Sequence, residues 1–316
     1  MKRRRPLLLA PFLTTGLATV LAAGAAGLAC AGHPPSRTTE TPSGRGAAPG
    51  RLATWVWDDA TVQDAAARRD LLDFARQRGI DTLFVHAGPG YDAAPGFAAL
   101  AALVEGAAKQ DASIVLVGGD PAWSLPEHRS EAADFVGRAG RLEARLVAGG
   151  LPHAGRVLLD VEPYLLPEWR AARERAAASY VELLRAARAA GRAASLEVWQ
   201  TIPFWFPEVL VDGQPLTGIV LDESAGVVVM AYRNRADDVR ALATPILEEG
   251  ARRGRPVIVA VETMCVDPPH VTFCGQTSHQ LGVALNGLER AFRSAPAFAG
   301  LAVHKYASWA TLEATP

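Results

Sequence analysis

The chain has 316 residues, of which 49% are hydrophobic and 21% are charged, and its formal net charge is −1. This composition is typical of a globular protein with a sizeable core and excludes a chain that is disordered throughout. The basic residues form no stripe with interleaved aromatic side chains, so nucleic acid is not an expected partner.

The first 31 residues have the pattern of a bacterial export signal. A lysine and three arginines precede the apolar run Pro6–Leu28, and small residues surround Cys30. Two interpretations of the end of this signal stay open. Residues 29–31 suit an ordinary A-x-A cleavage site, whereas "LAC" resembles the lipobox of lipoproteins, in which Cys30 is acylated and anchors the protein to the membrane. Gly27 stands where a lipobox usually has a large aliphatic residue.

Residues 32–50 are dense in Pro, Ser, Thr and Gly, which predicts a disordered linker. We therefore expect one domain over residues 51–316. We also expect an exported protein, either secreted or periplasmic, or held by lipid at the cell surface. No oligomeric state is predicted.

From residue 51 onward, short apolar runs alternate with longer stretches of helical period. The predicted strands are 52–59, 81–88, 113–120, 156–163, 194–203, 226–233, 256–264 and 300–309. The clearest helical stretches are 62–78, 130–148, 168–190, 236–253 and 278–293. This alternation predicts a single (β/α)8 barrel. The alternative, a doubly wound open sheet, normally has a glycine-rich turn after its first strand, and "WVWDDATVQD" contains no glycine.

Apart from Cys30, the chain has only two cysteines, Cys265 and Cys274. An isolated pair in an exported protein predicts a disulfide. No histidine pair or second cysteine pair stands nearby to complete a zinc site. We therefore expect neither a metal nor another cofactor.

A (β/α)8 barrel places its chemistry at the carboxyl ends of its strands. The fourth predicted strand ends in Asp160 and Glu162, and side chains two residues apart on a strand share a face. By the same alternation, Tyr232 and Glu262 at the ends of the sixth and seventh strands point into the barrel. These four are the candidate catalytic residues.

Other polar and aromatic side chains at strand ends are candidate substrate-binding residues. They are Trp57, Asp58, His86, Trp199, Gln200, Arg233, His304 and Trp309. Carboxyl groups transfer protons and flat rings cover the apolar faces of pyranoses, so a carbohydrate is the expected partner.

Two short motifs resemble those of the chitinase-type glycoside hydrolases of family 18. They are "GRVLLDVEPY" at 155–164 and "VVVMAYR" at 227–233, followed by a late tryptophan. That family has DxxDxDxE on its fourth strand and M-x-Y on its sixth. The resemblance implies that Glu162 is the general acid and that Asp160 and Tyr232 hold the acetamido group of the substrate. It also implies that Trp309 forms the floor of the sugar site.

This resemblance is incomplete at three positions. Gly155 and Leu158 replace the two earlier acids of the family 18 motif, and Arg233 stands where those chitinases have aspartate. The missing acids favour a competing interpretation, in which the barrel binds glycans without cleaving them or is a surface scaffold. The presence of Glu162 and of a second inward glutamate favours an enzyme.

A second resemblance is to the large retaining clan of (β/α)8 glycosidases. These enzymes carry an acid/base glutamate at the end of strand four, often as N-E-P, and a nucleophilic glutamate at the end of strand seven. "VEP" at 161–163 and "VET" at 261–263 are similar, although Val161 replaces the asparagine. Glu162 is the proton donor in both resemblances, whereas Glu262 is a nucleophile only in the second. The alternatives are structural: Glu162 pairing with Arg233 or Lys305, and Glu262 with Arg233 or His304.

Overall fold

The computed structural model describes residues 51–312. The predicted export signal, Cys30 and the linker lie outside the described residues. No helix among the described residues is long and apolar enough to span a membrane.

The described residues form ten strands and ten α-helices that alternate along most of the chain. The strands are β1 (Leu52–Val56), β2 (Thr82–His86), β3 (Ser113–Gly118), β4 (Arg156–Leu159), β5 (Glu197–Pro203), β6 (Leu210–Val211), β7 (Gln214–Pro215), β8 (Gly226–Met230), β9 (Val257–Glu262) and β10 (Phe298–His304). The helices are α1 (Asp59–Gln63), α2 (Ala65–Arg78), α3 (Ala94–Ala108), α4 (Arg129–Ala148), α5 (Pro167–Ala171), α6 (Arg173–Ala194), α7 (Leu216–Glu223), α8 (Ala236–Arg253), α9 (Ser278–Phe292) and α10 (Tyr306–Trp309).

Eight of the strands close into a parallel barrel in the order β1-β10-β9-β8-β5-β4-β3-β2. Strands β6 and β7 pair with each other in a small antiparallel hairpin between β5 and α7. The predicted (β/α)8 barrel is therefore confirmed, and the open sheet is excluded. The last barrel strand is shorter than predicted, because β10 ends at His304 and the chain then turns into α10.

The strands are buried on both faces, which explains their nearly continuous apolar sequences. Side chains that point inward fill the barrel with a compact cluster that includes Trp55, Phe84 and Leu158. Side chains that point outward pack against the helices in a larger cluster. Helices α2 and α8 end at Gly79 and Gly254, whose φ values of 66° and 63° are the left-handed conformation favoured at helix C-termini.

The predicted disulfide joins Cys265 to Cys274 in the loop after β9, with the two Cα atoms 5.0 Å apart. The loop folds back on the strand that it follows. The amide of Phe273 donates to the carbonyl of Glu262 over 2.8 Å, and the Thr272 hydroxyl donates to the carbonyl of Met264 over 2.5 Å. The crosslinked loop thus supports the carboxyl end of β9.

The backbones that leave β3 and β4 approach closely at Gly119. A Cβ atom there would lie 2.0 Å from the carbonyl oxygen of Asp160. We expect Gly119→Ala to lower the free energy of unfolding by about 1–3 kcal/mol, because the overlap involves rigid backbone. Chemical denaturation measures this change. Gly282→Ala is the control, since nothing lies within 4 Å of its Cβ position in α9 and alanine favours a helix. Equal stability of the two variants would contradict the expectation.

Candidate active site

Polar side chains from several barrel strands meet at the carboxyl end of the barrel. Asp160 and Glu162 follow β4, Tyr232 follows β8, and Glu262 and His304 end β9 and β10. Side chains alternate between the two faces of a strand, and the residues two or four positions before these five lie in the cluster that fills the barrel. The five side chains therefore point to the same inner face. The structure therefore places all four candidate catalytic residues on the inner face of the barrel.

Glu162 is partly buried, and the Tyr164 hydroxyl donates a hydrogen bond to its Oε1 atom. Burial raises the pKa of Glu162, the Tyr164 hydrogen bond and the neighbouring His304 act in the opposite direction, and the negative charge of Glu262 adds a smaller increase. A carboxyl group with a raised pKa keeps its proton closer to neutral pH. Glu162 thus has the environment of a general acid, and no ion pair holds it among the described residues.

Asp160 lies beside Glu162 on the same face. Its Oδ1 atom is buried and has no hydrogen-bond partner among the described residues. Burial, followed by the charge of Glu162, raises the pKa of Asp160 to about 7. The Thr201 hydroxyl lies near enough to favour the ionised form, although the two groups make no hydrogen bond of normal geometry. An unpartnered buried carboxyl oxygen is costly and is a natural acceptor for a substrate group.

Glu262 is almost fully buried, with 4% of its surface exposed. Its Oε1 atom accepts from the backbone amides of Thr263 and Met264, each over 2.7 Å. Its Oε2 atom lies 2.9 Å from Nδ1 of His304, and the Trp57 indole donates to Nε2 of His304 over 3.0 Å. Both carboxylate oxygens are therefore occupied, and His304 is the partner of Glu262.

Tyr232 packs its ring against His304, with ring centroids 6.3 Å apart and an interplanar angle of 27°. Burial and then the neighbouring charge of Glu262 raise the pKa of Tyr232, so its phenol stays protonated. Among the described residues, Arg233 forms no ion pair with these acids. Its guanidinium donates to the Tyr232 carbonyl over 2.7 Å and lies 5.1 Å from the centre of the Phe204 ring.

Two further candidates lie at the rim near β1 and β2. The ring of His86 is 5.8 Å from that of Trp57, and its Nδ1 atom is 3.0 Å from Oδ1 of Asp59. The carboxylate of Asp58 caps α1 by accepting from the amide of Ala60 over 2.9 Å. His86 therefore extends the aromatic wall begun by Trp57, whereas Asp58 has a structural partner.

The structure places Trp199 away from this cluster, contrary to the prediction. Trp199 stands near the start of β5 and points inward close to the amino ends of the strands. Its ring lies against Gly226, the first residue of β8, and 5.5 Å from the guanidinium of Arg156, the first residue of β4. The prediction put this tryptophan at the wrong end of a long strand.

Gln200 and Trp309 also lie outside the cluster. Gln200 is fully buried and alternates with Val198 and Ile202, which belong to the cluster that packs against the helices. Trp309 is on α10 and packs edge-on against Phe74 at 5.2 Å in the same outer layer. Trp309 therefore does not form a floor beneath Glu162, because the chain leaves the barrel before reaching it.

The sequence interpretation overlooked Tyr164, which orients Glu162. The chain turns into a short 3₁₀-helix at Pro163–Leu165, and this turn brings the Tyr164 ring back beside the acid. Tyr164 in turn packs against Trp205, with ring centroids 5.1 Å apart. A tyrosine two residues after the candidate acid was the available signal.

Comparisons with known proteins show the fold. No family model matches the chain, and no curated protein matches it. A GH18 chitinase from Pseudoalteromonas aurantia superposes with a TM-score of 0.54 at 11% identity, covering 82% of this chain and 95% of the chitinase. A GH39 enzyme from Xanthomonas axonopodis pv. citri gives a TM-score of 0.56 at 12% identity, covering 82% of this chain. The spore cortex-lytic enzyme SleL from Bacillus megaterium gives 0.52 at 10% identity, covering 84% and 75%.

The chain has the (β/α)8 barrel fold of these glycoside hydrolases. The resemblance to glycoside hydrolase barrels is thus confirmed at the level of the fold. The chain spans 60% of the length of the GH39 enzyme.

Proposed function

We propose that the protein is an exported glycoside hydrolase in which Glu162 protonates the oxygen of the leaving sugar. The observation that carries this proposal is the environment of Glu162. Its carboxyl group stands at the carboxyl end of the barrel, oriented by Tyr164, with a pKa raised by burial. These are the conditions that a general acid requires near neutral pH.

The substrate best suited to this site is a glycan that contains N-acetylhexosamine. Glu262 has both oxygens engaged, so it is poorly placed to attack the anomeric carbon as a nucleophile. The buried Asp160 Oδ1 atom has no partner among the described residues, and Tyr232 stands nearby as a protonated phenol. The family 18 resemblance assigns these two groups to the acetamido group of the substrate, which then acts as the internal nucleophile. A chitinase and a cortex-lytic enzyme are among the proteins of similar fold.

The location of the protein is part of the proposal. A disulfide between Cys265 and Cys274 suits an oxidising compartment outside the cytoplasm. Cleavage after residue 31 and acylation of Cys30 remain the two alternatives for the mature N-terminus. Mass spectrometry of the mature protein from its native host distinguishes them, and an uncleaved leader would contradict export.

The test is release of reducing sugar from chitin, peptidoglycan and β-glucan by the wild type, Glu162→Gln and Glu197→Gln. Glu197 is an exposed glutamate at the start of β5, at the opposite end of the barrel. We expect turnover of at least one N-acetylated polymer by the wild type and the control variant, and its loss in Glu162→Gln. Equal residual rates in all three proteins would exclude Glu162 as the proton donor. Binding without turnover would favour the non-catalytic glycan-binding barrel.

A further inference from the structure

A chain of hydrogen bonds runs from Trp57 through His304 to Glu262, and each donor in it points toward the Glu262 carboxylate. Two backbone amides donate to Oε1, each over 2.7 Å. His304 Nδ1 lies 2.9 Å from Oε2, and the Trp57 indole donates to His304 Nε2 over 3.0 Å. An indole N–H is only a donor, so His304 Nε2 must accept and Nδ1 must carry the proton. The chain thus fixes His304 as one neutral tautomer.

The imidazole of His304 is held on its faces and edges as well. Trp55 packs edge-on to it, with ring centroids 5.4 Å apart at 75°, and Tyr232 stacks on it. Glu262 is in turn held by its own buried position and by the crosslinked loop, whose Phe273 amide donates to the Glu262 carbonyl over 2.8 Å. Glu262 and two packed rings therefore set the position of the imidazole.

We propose that Glu262 and His304 are positioning residues that hold the Trp57 indole as a platform for a sugar ring, and that Glu262 takes no part in bond breaking. The platform role rests on the proposed function, whereas the positioning of the indole stands on the hydrogen bonds alone. Trp57 is partly exposed at the rim, and its ring lies 5.8 Å from that of His86, so part of this aromatic surface is accessible to a ligand.

Glu262→Gln tests the proposal, because an amide breaks the chain in either orientation. If the glutamine oxygen accepts from the two backbone amides, the glutamine NH₂ group faces Nδ1 of His304. Nδ1 must then accept, so the proton moves to Nε2 and opposes the indole N–H of Trp57. With its oxygen on His304, its NH₂ group faces two backbone donors. In the first orientation the Trp57 indole loses its acceptor, and in the second the repulsion from the two backbone amides should shift the side chain together with His304. A carboxylate alone accepts on both sides, so even this conservative change should displace the Trp57 indole.

The first readout is the indole N–H signal of Trp57 in a ¹H–¹⁵N spectrum of the mature protein. The chain has seven tryptophans, so Trp57→Phe assigns this signal directly. We expect it to shift or broaden in Glu262→Gln and to stay unchanged in Glu197→Gln. An unmoved Trp57 signal in Glu262→Gln would overturn the positioning role, whether or not the protein hydrolyses any glycan.

The second readout is binding and turnover of chitotetraose. We expect Glu262→Gln and Trp57→Phe each to raise KM or Kd by about three- to tenfold, the range of one aromatic contact, and to change kcat much less at a pH low enough for Glu162 to keep its proton. The variant with both substitutions should bind chitotetraose as tightly as either single variant, because both substitutions remove the same contact. A large loss of kcat in Glu262→Gln at that low pH, with KM unchanged, would assign Glu262 to chemistry. If the wild type binds chitotetraose without cleaving it, Kd is the readout. The platform role would be overturned if Trp57→Phe bound chitotetraose as tightly as the wild type, or if the wild type did not bind it.

Discussion

Glu162→Gln is expected to lower kcat on a natural oligosaccharide by about 10²–10⁴-fold, the usual contribution of a positioned general acid. The amide keeps the size of the side chain and can still accept from Tyr164, but it has no acidic proton to give. The loss should be much smaller on a 4-nitrophenyl glycoside of the same sugar, because that leaving group departs without prior protonation. This difference between substrates is specific to the acid and would not follow from a general disturbance of the site.

The measurement is kcat on both substrates for the wild type, Glu162→Gln and Glu197→Gln. The wild type should also lose activity at alkaline pH as Glu162 ionises, and the variant should lack that limb of the profile. Because burial raises the pKa of Glu162, the limb should lie above the range of an exposed glutamate. Equal losses on the two substrates would point to a binding or folding defect, and no loss on either would remove Glu162 from the mechanism.

The stability of Asp160→Asn relative to the wild type is expected to be higher at pH 8 than at pH 4, by about 4 kcal/mol. Burial, aided by the charge of Glu162, raises the pKa of Asp160 from 3.8 to about 7. A carboxyl group with a higher pKa in the folded than in the unfolded state disfavours folding once it must ionise. The wild type therefore loses stability as pH rises from about 4 to about 7, and the asparagine variant is spared this loss.

Urea unfolding at pH 4 and pH 8 measures the effect, and the comparison between the two pH values cancels any pH-independent cost of the substitution. Asp237→Asn is the control, because 79% of the Asp237 side chain is exposed. The same variant should be strongly impaired in turnover of N-acetylated substrates, since Asp160 is proposed to hold the acetamido group. A stability gain with full activity would separate Asp160 from the reaction, and a stability difference that does not change with pH would contradict the raised pKa.

The two resemblances seen in the sequence imply different roles for Glu262, a nucleophile in one and no such role in the other. The hydrogen bonds around Glu262 favour the second. A nucleophile needs an oxygen free to reach the sugar, whereas Glu262 accepts from two amides and lies 2.9 Å from His304. This arrangement supports the proposed role of the substrate acetamide, with Asp160 and Tyr232 as its partners. It also gives the second inward glutamate a purpose outside the chemistry.

The barrel and the convergence of its acids could be predicted from the sequence because both follow from local periodicity. Alternating apolar runs and helical stretches specify parallel strands with helical crossovers, and the period of two along a strand puts Asp160 with Glu162 and aligns Glu262 with Ile258 and Ala260. Parallel strands in a closed barrel then bring their carboxyl ends together. None of these steps depends on contacts between distant residues.

The partners of these acids could not be predicted, because they depend on contacts between segments far apart in the chain. Trp57 and His304 are 247 residues apart and meet only because β1 and β10 pair to close the barrel. Both tryptophans were predicted to line the site. Trp309 does not, because the chain leaves β10 at His304, and Trp199 does not, because it lies near the start of β5. Where a strand ends, and what then faces its last side chain, is set by pairing and packing across the whole barrel and not by the local pattern of residues.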